Sequence, residues 1–165
     1  MDRPNAFSLL KDSTDRSWLN MIRVGATMTT EAWDNKYKSN NGWSHAWSAS
    51  PAHIIPRKIM GIEPAEPGFG KIFIRPHPGN LTSAKTRFPT IRGNVDVGFT
   101  QNQGKSFVLR VTIPTNTSAM VYVPKISPNY QLTQNGKTVK GQETGEYVFI
   151  NEVKSGTNIF TIVSI

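Results

Sequence analysis

The stretch PAEPGFGKIFIR, residues 64–75, divides the sequence into two parts with different hydrophobic patterns. Its first six residues hold two prolines and a glycine, which interrupt regular secondary structure, and we interpret 64–69 as a linker. In the residues that follow, Ile72 and Ile74 occupy alternate positions, and this period of two is typical of a strand with one buried face. The sequence therefore predicts a change from helix to strand at this point.

The period of two recurs through residues 70–165. Turn sequences such as Asn135-Gly136 and Ser155-Gly156 separate the alternating runs. Short strands that are separated by such turns about every ten residues predict an antiparallel β-sandwich over this part of the chain. The alternating positions are Val95, Val97 and Phe99; Phe107, Leu109, Val111 and Ile113; Val121 and Val123; Tyr147 and Phe149; and Ile159, Thr161 and Val163.

On the other side of the linker, residues 1–63 carry a helical pattern. Apolar residues over 18–24 recur at helical spacing, and either Thr14 or Asp15 is a candidate N-terminal cap for this helix. Gly25 follows the last of the apolar residues and is expected to end the helix, because glycine readily adopts the left-handed conformation found there.

Two further helical segments are expected before the linker. Thr30 is a candidate cap for a short helical turn, and either Ser44 or Ser50 is a candidate cap for a longer helix. Pro51 and Pro56 must kink or divide that helix, because proline lacks the N–H that a helix interior requires. The fold class predicted is α+β in two segments, in which the helical segment is too small to fold well alone and is interpreted as the end of a larger helical domain.

Composition excludes several classes of site. The 165 residues include no cysteine, which rules out disulfides, thiolate zinc sites and cysteine nucleophiles. The net charge of +8 invites a nucleic-acid interpretation, but the basic residues are scattered singly along the strands, so we expect solvated strand faces and no nucleic acid. The three histidines lack the spacing of a metal site, and no metal or other cofactor is expected.

The sequence does not indicate a membrane segment or a location. It has no run of 18 apolar residues, so no transmembrane helix and no membrane partner are expected. The first residues, MDRPNAFSLLKDS, lack the basic start and long apolar core of a signal peptide. Localisation is therefore left open.

The residues with the most chemical potential cluster between positions 29 and 47. Aromatic faces stack on sugar C–H groups, and a carboxylate can activate water for glycosidic cleavage, so the cluster is a candidate carbohydrate site. In the alternative interpretation the tryptophans are core residues and Glu31 lies at a helix N-terminus, where the helix dipole favours a carboxylate. The cluster consists of Thr29, Thr30, Glu31, Trp33, Asp34, Trp43, His45 and Trp47.

Three stretches of the sequence resemble the C-terminal end of bacterial α-L-rhamnosidases. They are VGATMTTEAWDNKY at 24–37, NGWSHAWSASPAHIIPRKIMGIEPAEPGFGKIFIRPHPGNL at 41–81 and FPTIRGNVDVGF at 88–99. The similarity covers essentially the whole chain and is strongest over 21–97. Within the family, the chain resembles the branch common in Bacteroides-type gut bacteria.

The resemblance implies an (α/α)₆-barrel catalytic domain followed by a C-terminal β-sandwich, and an inverting hydrolysis that uses two carboxylates. By the family motif, Glu31 corresponds to the general base and His45 to a histidine that contacts rhamnose. Trp33 occupies the family's aromatic position after the base, with a structural or lining role. We expect Trp33 and Trp47 to be substrate-binding residues beside His45. The implied domains are 1–63, the last helices of a six-hairpin-type domain, then the linker 64–69 and the sandwich 70–165.

The family's general acid lies upstream of any residue in this chain. The resemblance therefore implies the C-terminal portion of an enzyme that removes terminal α-L-rhamnose from glycans or glycosides, inactive by itself. A periplasmic or extracellular parent enzyme is compatible with it, and helix faces left exposed would favour self-association. The alternative hypothesis is a carbohydrate-binding or structural β-sandwich module with a helical extension.

Overall fold

The computed structural model describes residues 8–165. The chain divides into two compact units, Met1–Ile54 and Ile55–Ile165, which we call the first and the second unit. Residues 1–7 of the predicted helical segment lie outside the described residues. In the described part the chain is mostly β-sheet with few helices, and no helix there has the length and apolar character to cross a bilayer.

The first unit contains helix α1 (Trp18–Arg23), whose cap differs from the predicted one. The prediction of Thr14 or Asp15 was wrong, because Ser17 has extended backbone angles and its hydroxyl accepts the N–H of Asn20 at 3.1 Å. The Thr14 hydroxyl instead accepts an N–H inside the preceding turn, from Arg16. The predicted end is confirmed, since Gly25 follows the helix with a φ of 89°.

Residues 26–45 form turns and bends with no regular helix or strand. The prediction of a helical turn capped by Thr30 is therefore wrong. The Thr30 hydroxyl donates to the carbonyl of Ala32 at 2.6 Å, so it does not accept a backbone N–H as a cap would, and the Glu31 N–H donates to the carbonyl of Gly42. Glu31 thus does not lie at a helix N-terminus. The tryptophans and Glu31 are placed by loop hydrogen bonds instead.

The longer predicted helix is divided into three short pieces. They are a 3₁₀-helix (Ala46–Ala49), helix α2 (Ser50–Ile54) and, opening the second unit, a π-helix (Ile55–Ile59). The cap is His45, whose Nδ1 accepts the N–H of Trp47, so the prediction of Ser44 or Ser50 was wrong. The predicted division at the two prolines is confirmed.

The second unit forms one sheet of five strands and one of six. The five-stranded sheet has the order β1-β2-β6-β10-β9 and the six-stranded sheet the order β3-β4-β5-β11-β7-β8. A 3₁₀ turn (Pro67–Phe69) separates the first two strands. In chain order the strands are β1 (Ile62–Pro64), β2 (Lys71–Ile74), β3 (Ser83–Thr90), β4 (Gly93–Asn102), β5 (Ser106–Ile113), β6 (Ser118–Pro124), β7 (Tyr130–Gln134), β8 (Lys137–Thr138), β9 (Gln142–Thr144), β10 (Tyr147–Val153) and β11 (Gly156–Ser164).

One face of each sheet supplies the core, which fits a β-sandwich. The predicted alternation holds in β2, β4, β5 and β6. In β10 and β11 the prediction was wrong about the buried face. The residues predicted to face the core are half-buried, and those on the opposite face are buried. Pairing explains the difference, because Val148 pairs with Val123 and Phe160 with Leu109, which places them beside buried neighbours. The buried side chains of these strands are Val148, Val153, Phe160 and Ile162.

The prediction of a purely antiparallel arrangement was wrong at one pair of strands. Strands β2 and β6 run parallel, with Ile72 paired with Ala119 and Ile74 with Val121, while the other pairs among the described strands are antiparallel. Between these two strands the chain builds β3, β4 and β5 of the other sheet, an odd number of passes. The chain therefore returns to the five-stranded sheet in its original direction.

Candidate functional site

Two loop segments of the first unit lie side by side and carry the candidate residues. The N–H of Glu31 donates to the carbonyl of Gly42, and the N–H of His45 donates to the carbonyl of Thr29, both at 2.7 Å. The Thr29 hydroxyl adds a bond to the carbonyl of His45 at 2.9 Å. These bonds bring Glu31 close to His45 although neither belongs to a regular element.

The side chains of Glu31 and His45 both lie next to Gly42. A methyl group built on Gly42 would lie 3.5 Å from Oε2 of Glu31 and 3.6 Å from Cδ2 of His45, so both side chains border the space above this glycine. The N–H of Gly42 also donates to Oε2 of Glu31 at 3.3 Å. The structure therefore brings the carboxylate and the imidazole together around one backbone position.

The Glu31 carboxylate is held in its ionised form. Oε1 forms an ion pair with the ammonium group of Lys38, and the side chain of Glu31 is 17% exposed. The hydrogen bond from Lys38 is the largest cause that keeps the pKa of Glu31 below its ordinary value of 4.5, and the hydrogen bond from the Gly42 N–H also contributes. A carboxylate in this state can accept a proton at neutral pH.

The contacts of His45 select one tautomer of its ring. Because Nδ1 accepts the N–H of Trp47 at 3.3 Å, the neutral imidazole carries its proton on Nε2. The two rings meet edge to face with their centroids 4.6 Å apart. The indole of Trp47 is 76% exposed, so this ring is available for stacking.

The other two tryptophans of the cluster have different surroundings. Trp33 packs edge to face against Trp18, with ring centroids 5.2 Å apart, and its carbonyl accepts an amide N–H of the buried Asn20. Trp43 donates its indole N–H to Oδ1 of Asn35 at 3.2 Å. The described contacts thus join Glu31, His45 and Trp47, whereas they tie Trp33 to α1.

Sequence reasoning missed two residues that organise the loop. Lys38 pairs with Glu31, and Asn41 accepts the N–H of Ala32 through Oδ1 at 2.8 Å. Both lie in the polar run DNKYKSNNG at 34–42, whose composition is typical of a loop and does not by itself indicate a role at the site. A lysine a short distance after a carboxylate in a loop is a signal that could have suggested the ion pair. Among residues 8–165, no group of His, Asp and Glu is arranged to hold a metal ion.

Two family models match the chain; one includes this loop cluster and the other includes strands β1 to β8. Residues 1–59 match the bacterial α-L-rhamnosidase six-hairpin glycosidase domain, and residues 61–138 match the bacterial α-L-rhamnosidase C-terminal domain. The chain belongs to the bacterial α-L-rhamnosidase family.

Individual relatives agree with this assignment. An α-L-rhamnosidase of Streptomyces avermitilis is 33% identical over 95% of this chain and 16% of the relative. One from Alteromonas sp. (strain LOR) is 33% identical over 87% of this chain and 17% of its own length. The chain therefore spans about a sixth of the relatives it matches.

Solved structures show the same fold. The α-L-rhamnosidase from Dictyoglumus thermophilum superposes with a TM-score of 0.84 at 29% identity, over 96% of this chain and 18% of that one. The Streptomyces avermitilis enzyme complexed with L-rhamnose gives a TM-score of 0.76 at 31% identity, over 94% of this chain and 16% of that one.

Proposed function

We propose that this chain is the C-terminal part of a glycoside hydrolase that removes terminal α-L-rhamnose from glycans or glycosides with inversion of configuration. Its family membership and the L-rhamnose complex of the Streptomyces avermitilis relative support the substrate class. The observation that carries the proposal is the ionised Glu31 beside His45, within the segment that matches the glycosidase domain.

In this proposal Glu31 is the general base. An inverting enzyme uses a carboxylate to take a proton from water as the water attacks the anomeric carbon. The pKa of Glu31 is lowered by Lys38 and by the Gly42 N–H, which keeps the group deprotonated before the reaction. The same contacts reduce its basicity, so a sugar or water that displaces Lys38 would make Glu31 a stronger base.

His45 and the tryptophans bind the sugar in this proposal. With Nδ1 occupied by the Trp47 N–H, Nε2 of His45 can donate a hydrogen bond to a rhamnose hydroxyl. The exposed indole of Trp47 offers a face for the apolar side of the sugar. Trp33 positions the site indirectly in this proposal, because its packing against Trp18 fixes the loop that carries Glu31.

The proton donor of an inverting mechanism would come from outside this chain. The donor must lie across the scissile bond, about 6.5–9.5 Å from the base, and needs a raised pKa. Asp12 and Asp15 of the first unit have lowered pKa values instead, because Asp12 accepts hydrogen bonds from Thr14 and Asp15 pairs with Lys36. We therefore infer that the chain alone does not hydrolyse rhamnosides.

The proposed architecture assigns three segments of the chain to parts of the longer enzyme. Residues 1–63 would supply the last helices of an (α/α)₆ barrel, 64–69 the linker, and 70–165 the C-terminal β-sandwich. Ile22 and Trp47 are 69% and 76% exposed, and such apolar side chains would favour self-association of the isolated chain.

The proposal is tested by Glu31→Gln in a full-length enzyme that carries this C-terminal sequence. We expect kcat on an aryl α-L-rhamnoside to fall roughly 10²–10⁴-fold with little change in KM, because the amide cannot accept the proton from water. The acidic limb of the pH profile should also disappear.

The matched control is Asp34→Asn in the same loop. Oδ1 of Asp34 accepts the N–H of Lys36 at 3.1 Å, a bond that an amide oxygen can keep. We expect the Asp34→Asn enzyme to retain kcat within a few-fold. In a separate assay, we expect the 165-residue chain alone to release no more aryl alcohol than the same chain with Glu31→Gln. Equal losses in the two variants, or turnover by the chain alone, would contradict the proposed roles.

A further inference from the structure

A cationic cleft of about 280 Å³ lies in the second unit, between the π-helix (Ile55–Ile59) and the outer face of the five-stranded sheet. It belongs to a different unit from the cluster around Glu31 and shares no residue with it. Its lining includes Arg57, Lys58, Glu63, Phe73, Arg75 and Tyr122.

The backbone around Gly61 builds this cleft. The N–H of Arg75 donates to the carbonyl of Gly61 at 3.0 Å, and the N–H of His77 donates to the carbonyl of Ile59 at 2.8 Å. Gly61 has a φ of 72°, and a Cβ there would lie 1.9 Å from the carbonyl oxygen of Arg75. This close approach holds the end of the π-helix against β2, and single π-turns of this kind are frequent at functional sites.

The cleft has more positive than negative charge. Arg57, Lys58 and Arg75 contribute three cations and Glu63 one carboxylate, which leaves a formal surplus of two with His77 neutral. The carboxylate of Glu63 lies 2.9 Å from Nζ of Lys58 and 3.5 Å from Nε of Arg57, so one anion is shared between these two cations. A second anion would therefore be attracted to the cleft.

Aromatic rings form the other part of the lining. The rings of Phe73 and Tyr122 have centroids 6.4 Å apart, and the guanidinium group of Arg75 lies 5.7 Å from the centre of the Tyr122 ring. Rings of this kind bind the C–H face of a sugar, while a guanidinium group binds a carboxylate through paired hydrogen bonds. A ligand that matches both features has a sugar ring and a carboxylate.

We propose that this cleft binds an acidic sugar residue of a glycan. The carboxylate of the sugar lies against Arg75 and Lys58, and the sugar ring lies against Tyr122. The site is independent of the hydrolytic role proposed for Glu31, and it would hold a charged part of a glycan rather than the neutral rhamnose.

The test is an NMR titration of the whole 165-residue chain with methyl β-D-glucuronide and with methyl β-D-glucoside, in which a CH2OH group replaces the carboxylate. We expect the glucuronide to bind at least tenfold more tightly, with shifts around Tyr122. Equal binding of the two sugars, or no binding of the glucuronide, would overturn the proposal. Sodium sulfate that binds as tightly as the glucuronide would show a general anion site and overturn it as well.

Variants locate the binding. Arg75→Gln and, separately, the exposed Lys58→Gln should each weaken glucuronide binding at least fivefold, whereas Arg110→Gln on the other sheet should leave it unchanged. Two variants of the cleft guard against a folding defect in one of them. The proposed site would be contradicted if Arg110→Gln lost glucuronide binding, or if Arg75→Gln and Lys58→Gln both kept it unchanged. Glu31→Gln should not affect this binding, which separates the outcome from that of the proposed hydrolysis.

Discussion

The two units of the chain are each stabilised by a different kind of internal contact. Among the described residues of the first unit, Met21 is the one apolar side chain in the buried core, whereas the second unit buries apolar side chains from both sheets. Ile22 and Trp47 of the first unit remain largely exposed. Burial of apolar surface is the main favourable term in folding, so the second unit has the larger source of stability.

The first unit relies on directed hydrogen bonds instead. Within residues 8–54, the buried polar residues are Ser17, Asn20 and Thr30, and each of them bonds to a loop or helix backbone. Such bonds contribute about 0.5–1.5 kcal/mol each in net terms, and they fix geometry more than they add stability. The Glu31 loop is therefore shaped by polar contacts in a unit that buries few side chains, whereas the sheets fold around an apolar core.

The largest effect is expected from a core truncation in the second unit. Phe107 is fully buried and stacks on Phe99 with ring centroids 5.5 Å apart, so Phe107→Ala should lower the free energy of unfolding by about 3–5 kcal/mol. Urea unfolding followed by circular dichroism measures this change.

Met21→Ala is the matched truncation in the first unit. We expect it to leave the unfolding of the sheets, followed by amide hydrogen exchange, nearly unchanged. If Met21→Ala destabilised the sheets as much as Phe107→Ala, the difference drawn between the two units would be wrong.

A smaller effect separates two glycines that follow helices. Gly61→Ala should cost about 2–5 kcal/mol, because the new methyl group meets the Arg75 carbonyl and the residue has a positive φ. Gly25→Ala has the same kind of φ, 89°, with no atom within 4 Å, and should cost only about 1–2 kcal/mol. Thermal unfolding of both variants tests the comparison, and equal costs would contradict the role of close packing at Gly61.

The smallest change concerns the charge of Glu31. Lys38→Met should raise the pKa of Glu31, since the hydrogen bond from Lys38 is the largest cause that lowers it. Because the pKa is lower in the folded state, this pairing favours folding above pH 4.5, and its contribution is lost as pH falls through the folded-state pKa. NMR titration of the Glu31 carboxyl carbon measures the shift.

Lys36→Met provides the control from the same loop. Lys36 pairs with Asp15, so this variant should raise the pKa of Asp15 and leave that of Glu31 in place. A rise in the Glu31 pKa in both variants would mean that the general positive charge of the loop, rather than the Lys38 contact, keeps Glu31 ionised.

Local patterns were sufficient for most of the second unit. The alternation of Val95, Val97 and Phe99 identifies β4 and its buried face, because the intervening Asp96 and Gly98 offer no apolar side chain to the opposite face. In β11 the residues on both sides of Phe160 are apolar or β-branched, so alternation does not select a face. The pairing of Phe160 with Leu109 decides it.

Helix ends show the same division. Gly25 ended α1 as expected, because a left-handed residue after a helix is a local requirement. The N-terminal cap was misassigned because Thr14, Asp15 and Ser17 are all chemically able to cap. The choice of Ser17 depends on backbone angles that the preceding turn sets, and that turn uses the hydroxyl of Thr14 for itself.

Residue types alone suggested the cluster between positions 29 and 47 as a candidate carbohydrate site, and this cluster includes Glu31, His45 and Trp47. Their proximity comes from backbone bonds between residues 29–31 and 42–45, which are distant in sequence and form no regular strand. The parallel pairing of β2 with β6 likewise depends on three intervening strands. Patterns along a chain report short-range preferences, whereas contacts between distant residues depend on the free energy of the whole fold.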